Sequence, residues 1–363
     1  MERIHNPYLR IFVHLHGTFG IQLSSIRLND WHSILTLVIN ISLNIITYWG
    51  IFIDSPASDQ IWSESNSKQM YNYLRKANFY AIYPILYFGS IGSYIAYGHR
   101  IITGLDSNAF IIVSNCKRNR WKAFFIFMIG LIFWHQRFIL RELRYLTKPL
   151  FLVQFRTLKL MAGMYLYHAT QLTNWYLLFY YQLNTFFTLR QIVKKLWPNK
   201  SMLRTNSFSI ERRLFRSIIL LSEQSRRLQY YFSFIILFIL IELSDSIVGN
   251  LCFLMIESFG TSIGWFSLYE QSIRWSLLFA LVEINRQNLM FFNQIVQHFN
   301  RKLSTIQTSD YRIARYSKYN QLKIYQQYYP LSLFNWLNVN VSLLINIFFF
   351  SFGYVLIISQ TAT

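Results

Sequence analysis

Charge is what this sequence has little of. Only 14% of its 363 residues are Asp, Glu, Lys or Arg, well under the roughly 25% of a soluble domain, while 53% are hydrophobic and 19% aromatic. An ordinary water-soluble globule is excluded, and a polytopic membrane protein is expected. Cysteine is almost absent. Cys116 falls in a loop expected to face the cytosol and Cys252 inside an apolar stretch, so no disulfide is expected. Acidic residues are scarcest, 15 against 35 basic for a net charge of +20. That excess does not point to nucleic acid, because the basic residues sit between hydrophobic runs.

Enzyme signatures are missing as well. There is no HExxH, no Gly-rich phosphate loop, no Cys/His cluster at metal spacing and no nucleophile elbow. The GLD of Gly104, Leu105 and Asp106 lacks a second aspartate at matching depth. No catalytic activity, cofactor or metal is expected. Residues 1–30 carry Arg3, Arg10 and Arg27 without a compact apolar core and small-residue cleavage site, so they do not read as a signal peptide.

What is present is a series of apolar stretches. Spans are expected at about 31–53, 77–98, 123–140, 160–189, 232–256, 262–284 and 337–360, most of them near the length that crosses a ~30 Å hydrocarbon core as helix; 123–140 is short, and 160–189 is longer than a bilayer needs and is expected to continue as a helix into the cytosol. The fold class is therefore an all-α membrane protein with seven transmembrane helices. Gly89, Gly92 and Gly98 would let the second span pack closely. Spans five and six are joined by a few residues around Phe259 and Gly260, which makes them antiparallel neighbours. With a cytosolic N-terminus, 25 Lys and Arg fall in inner segments and 9 in outer ones. The positive-inside rule thus puts residues 1–30 in the cytosol and the C-terminus outside. The six basic residues at 137–159 run against that bias and are read as a helix emerging from the membrane.

The connections at 190–231 and 285–336 are expected to be largely helical. Ile210, Leu214, Ile218, Leu221 and Leu228 form one apolar stripe, and Leu289, Phe292, Val296, Phe299 and Leu303 another. The stripes either lie on the anionic inner leaflet or pack together as a cytosolic bundle continuing spans four to six. Pro330 then interrupts the chain before it re-enters the membrane.

The last stretch, 337–363, holds no charge in its span. Asn338, Ser342, Asn346, Phe349, Gly353, Ile357 and Gln360 recur at steps of three or four and so share one helical face. A polar seam on an otherwise apolar helix faces either a water-filled pore or other protein. Within the spans, Glu242, Asp245, Glu270, Arg274 and Glu283 are ionisable. Glu270 and Arg274 are four apart and are expected to form an intramembrane ion pair, serving either ligand contact and gating or simple packing. Aromatic residues gather in the halves of the spans expected to face outward: Tyr80, Tyr83, Tyr87, Trp134, His135, Tyr165, Tyr167, His168, Trp175, Trp265, Phe266 and Tyr269. They are candidates for a small-molecule pocket, or members of an interfacial belt.

The residues near the end decide between these readings. Tyr354, the apolar run 355–359 and Gln360 resemble, at matching spacing, the terminal signature of insect gustatory receptors, with Gly353 in place of its Thr and Thr361 in place of its Phe. The resemblance implies a ligand-gated non-selective cation channel in the plasma membrane of a chemosensory neuron. It implies four copies, as a homotetramer or a heterotetramer with other gustatory receptor subunits, embedded in membrane lipid and opened by a small organic tastant. Ile357 and Gln360 then stand at the family's gate and filter, with Gly353 and Asn346 lining the pore. Tyr80, Tyr83, Tyr87, Trp134, His135, Tyr167, His168, Trp265 and Tyr269 fall in the region of its ligand pocket. The alternative is a seven-helix chemoreceptor that signals through a cytosolic partner without its own pore.

Overall fold

The structure, a computed structural model, describes residues 9–10, 12–13, 31–48, 81–106, 155–197, 207–253, 262–304, 331–334 and 337–362. Among these residues the fold is all-helical apart from one small hairpin. The long helices are α1 (Trp31–Tyr48), α2 (Tyr83–Leu105), α3 (Phe155–Leu196), α4 (Ser207–Phe253), α5 (Ser262–Ser304) and α6 (Val341–Ala362). The expected third span at 123–140 lies outside the described residues, as do Cys116 and the basic residues at 137–144.

Helices α4 and α5 run to 47 and 43 residues, about 70 and 65 Å of helix. Each carries an expected span and an expected connection as one unbroken element. Their apolar stripes explain the continuity: Leu214, Ile218, Leu221 and Leu228 of α4 are buried, as are Phe292 and Val296 of α5. The two helices meet beside these stripes, where Phe215 of α4 sits edge-on to Phe299 of α5, ring centroids 4.8 Å apart. Helix α3 packs against the same part of α5, and Phe186 and Phe291 meet at 5.6 Å.

Helix α2 lies antiparallel on α4, and its glycines set how closely. A Cβ on Gly89 would stand 2.5 Å from Phe238 Cζ, and one on Gly104 would stand 2.6 Å from Leu228 Cδ2. Gly92, read from the sequence as a packing glycine, has nothing within 4 Å of its Cβ position. Lower on the same interface Tyr97 stacks on Phe234, while Arg100 lies 5.9 Å over the Tyr231 ring. Near the N-terminus, Leu9, Phe12 and Val13 are buried, and Phe12 stacks on Tyr176 at 4.0 Å. This brings part of the segment expected to be cytosolic beside the middle of the fourth expected span.

The last span departs from expectation at its start. Residues 337–340 are not helical: β1 (Ser332–Leu333) pairs antiparallel with β2 (Leu337–Asn338), and the Val339 N–H donates to the Leu331 carbonyl at 2.7 Å. The helix starts only after Asn340, whose Oδ1 accepts the Leu343 N–H at 2.9 Å, the bond of an N-cap. Asn338 therefore leaves the polar seam. The hairpin is bonded into the bundle. Gln229 Nε2 donates to Ser332 Oγ at 2.8 Å, and the Leu331 N–H donates to Asn285 Oδ1 at 3.0 Å. The Phe334 N–H donates to Ser233 Oγ at 3.0 Å.

Candidate functional site: the last helix and two buried polar clusters

Helix α6 presents two different faces. Leu344, Ser351 and Val355 are buried and lie along one stripe, on the helix's packed side, where α4 is its main neighbour; Phe348 meets Trp275 of α5 edge-on at 5.8 Å. The expected seam lies on the other side. Ser342, Asn346, Phe349, Ile357 and Gln360 are exposed, Ile357 by 57%, and Gly353 is half-buried. Large apolar side chains flank it, with Phe350 80% exposed. Exposed phenylalanines beside amides fit neither water nor hydrocarbon alone. The geometry suits a helix that gives one flank to lipid or protein and another to a polar path.

A first buried polar cluster joins α2 to α3. Tyr94 Oη donates to Asn174 Oδ1, and Asn174 Nδ2 donates to Ser90 Oγ at 3.0 Å and to Gln171 Oε1 at 3.3 Å. All four residues are buried. Gln171 Nε2 has no hydrogen-bond partner among the described residues. Sequence reading missed this cluster. The spacing of Ser90 to Tyr94 and of Gln171 to Asn174 puts each pair on one helical face, but nothing local says that the two faces meet.

The second cluster joins α4 to α5. Arg274 Nη1 stands 3.2 Å from Glu242 Oε1, with both side chains under 10% exposed. Arg274 Nη1 also donates to Ser246 Oγ at 3.0 Å, and Gln271 Nε2 donates to the same oxygen. Glu242 on the neighbouring helix is thus one partner of Arg274. The Glu270 side chain, its expected partner one turn away, lies outside the described residues.

Of the aromatic candidates, three have described side chains. Tyr87 and Trp175 are fully buried, Tyr87 edge-on to Phe88 at 5.2 Å, whereas Tyr269 is 51% exposed. Tyr80, Trp134 and His135 lie outside the described residues, and so do the side chains of Tyr83, Tyr167, His168 and Trp265 on α2, α3 and α5.

No family model and no curated protein matches the sequence. Among solved structures, the insect olfactory receptor OR5 from Machilis hrabei in complex with eugenol aligns over 97% of this chain and 98% of its own, at 15% identity and a TM-score of 0.52. The chain has the fold of that olfactory receptor. A second structure of the same receptor aligns over 96% of this chain and 98% of its own, also at 15% identity, with a TM-score of 0.49. Among the described residues, one stretch is long and apolar enough to cross a membrane, Leu214–Gly249 within α4, and α6 adds the shorter apolar run Val341–Ile357.

Proposed function

We propose that the protein is a subunit of a ligand-gated cation channel of the insect chemoreceptor type, opened by a small organic molecule, and that its role is gustatory. The observation that carries the reading is the last helix: in a chain with an olfactory receptor fold, α6 leaves Ser342, Asn346, Ile357 and Gln360 of its seam exposed and Gly353 half-buried among them. One helix cannot enclose a pore, so four copies meet on that seam, as homomer or heteromer with related subunits. Asn346 and Gly353 line the path, Ile357 closes it by dewetting, and Gln360 rings the mouth with amides.

The chain is a multi-pass protein of the plasma membrane, with its N-terminus inside. Exposed apolar side chains along α1, such as Trp31 at 75% and Ile45 at 60%, support burial in lipid. So does the level of Tyr97, Tyr230, Tyr231 and Arg100, which suits the inner interface. The complex of the structural neighbour with eugenol supports a small organic ligand, and the outer aromatic set is its candidate site. The terminal Tyr354 to Gln360 signature supports the taste assignment over smell.

The test is reconstitution of the purified chain alone in planar bilayers, challenged with a panel of small organic molecules that includes eugenol. Cation current that depends on an added compound supports the channel. A chain that binds a compound in vesicles yet passes no current, alone or with related subunits, overturns it in favour of a receptor without a pore.

A further inference from the structure

The charged pair between α4 and α5 is not used by the pore or by the aromatic set. Glu242 lies near the middle of the expected span 232–256 and Arg274 near the middle of 262–284, so on the span reading both charges belong at mid-membrane depth. Around Glu242, α4 buries Ile235, Ile236, Ile239, Leu240, Leu243 and Ile247, while Ser244, Asp245 and Ser246 follow on the next turn. Ionisable groups at that depth are expensive, and where they persist they mark function. Stability alone does not account for them, because apolar side chains of similar volume replace a buried ion pair at little or no cost.

The position of the pair suggests what it does. Trp275 follows Arg274 directly and meets Phe348 of α6 edge-on at 5.8 Å, and Phe348 stacks on Phe352 at 6.3 Å. Arg274 is tied to α4 through Glu242 and Ser246, so its place sets where Trp275 touches the last helix. Tyr269, a pocket candidate, stands five residues earlier on α5, about 7.5 Å along the axis.

We propose that Glu242 and Arg274 are positioning residues for channel opening, an ion-pair latch that fixes α5 against α4 and thereby sets the contact of Trp275 with Phe348 on α6. This rests on the channel reading above. A slide of α5 that separates the charges leaves both in a low-dielectric interior. Intermediate positions are therefore penalised, and the helix pair has discrete settings.

The test needs no ligand if it is made in an Ile357→Ser background, where the gate is loosened. Single-channel open probability is compared between I357S and I357S/E242L/R274M at matched surface expression. The latch predicts a change of at least about tenfold, and W275L added to the triple variant produces little further change, because it acts through the same route. Open probability equal to that of I357S overturns the latch and leaves the channel reading intact. Absence of any current from I357S itself removes the channel reading and the latch with it. If the triple variant does not reach the surface, I357S/E242Q, which keeps the side-chain shape and removes the charge, is read in its place. Failure of that variant also to reach the surface makes the pair a folding requirement and overturns the latch.

Discussion

Asn288 of α5 donates through one amide group to two oxygens of Gln182 on α3, the main-chain carbonyl at 3.2 Å and Oε1 at 2.8 Å. Both residues are buried, so the pair clamps α3 to α5 where neither can be rescued by water. Asn288→Leu should destabilise the protein by about 1–3 kcal/mol, the cost of leaving a buried acceptor unmet, and lower the melting temperature in detergent. Arg286→Ala is the control. Its ion pair with Glu283 has side chains 62% and 50% exposed, and exposed pairs contribute little. Equal melting of the two variants would deny the clamp any structural weight.

Gly89 and Gly92 lie three residues apart on α2 with opposite expectations. A methyl group on Gly89 would stand 2.5 and 2.7 Å from two atoms of the Phe238 ring, so Gly89→Ala forces that ring from its place between α2 and α4 and should cost about 1–3 kcal/mol. Phe238→Leu should recover part of that loss. Gly92→Ala meets nothing within 4 Å and gains helix propensity, so it should be neutral or stabilising by about 0.5–1 kcal/mol. Thermal melts of the three variants check the set, and a stable Gly89→Ala would mean that the helices are not held this close.

Much of the helical frame was legible because burial writes a period into the sequence. The stripes of α4 and α5 recur every three or four residues, and Leu214, Ile218, Leu221, Leu228, Phe292 and Val296 are all buried. The seam of α6 was legible for the same reason. What failed was anything decided by distant partners. Residues 337–340 belong locally to an apolar run that reads as helix, but Leu331 and Ser332 are bonded to Asn285 and Gln229, 46 and 103 residues away, and those bonds hold a hairpin. Arg274 adds a partner that spacing could not offer: Glu270 is proposed by the period of α5, while the contact with Glu242 comes from the packing of two helices.

The aromatic set can be tested as a set. Tyr83, Trp134, Tyr167 and Tyr269, each changed to Ala, should shift the dose–response curve of an activating compound for at least two of the four while surface expression is kept. Tyr269, half exposed on α5, is the member most easily changed without disturbing packing. Four unmoved curves would assign these rings to packing or to the interfacial belt, and the ligand to another site.

Ile357 is 57% exposed on the face of α6 that carries the seam. If four copies bring it into an apolar constriction, a hydroxyl there wets the pore. Ile357→Ser should then raise ligand-independent current several-fold, whereas Val355→Ser, on the buried face, should lower surface expression instead. Unchanged basal current at normal expression of I357S would remove Ile357 from the gate.

Phe334, at the turn of the hairpin, has φ of 49°, a left-handed backbone that a bulky L-residue adopts at a cost. Two things hold it there. Its N–H is bonded to Ser233 Oγ, and its ring lies edge-on to Phe234 at 5.0 Å and Tyr230 at 6.4 Å. Replacement by Ala or Gly removes the ring equally, but Ala keeps the backbone strain and Gly does not. Phe334→Gly should therefore melt higher than Phe334→Ala by about 1 kcal/mol of stability, although both fall below the parent. The hairpin feeds directly into Asn340 and α6, so the same order should appear in current at saturating ligand. Phe334→Ala equal to or better than Phe334→Gly in both measurements would mean that the left-handed turn costs the protein nothing.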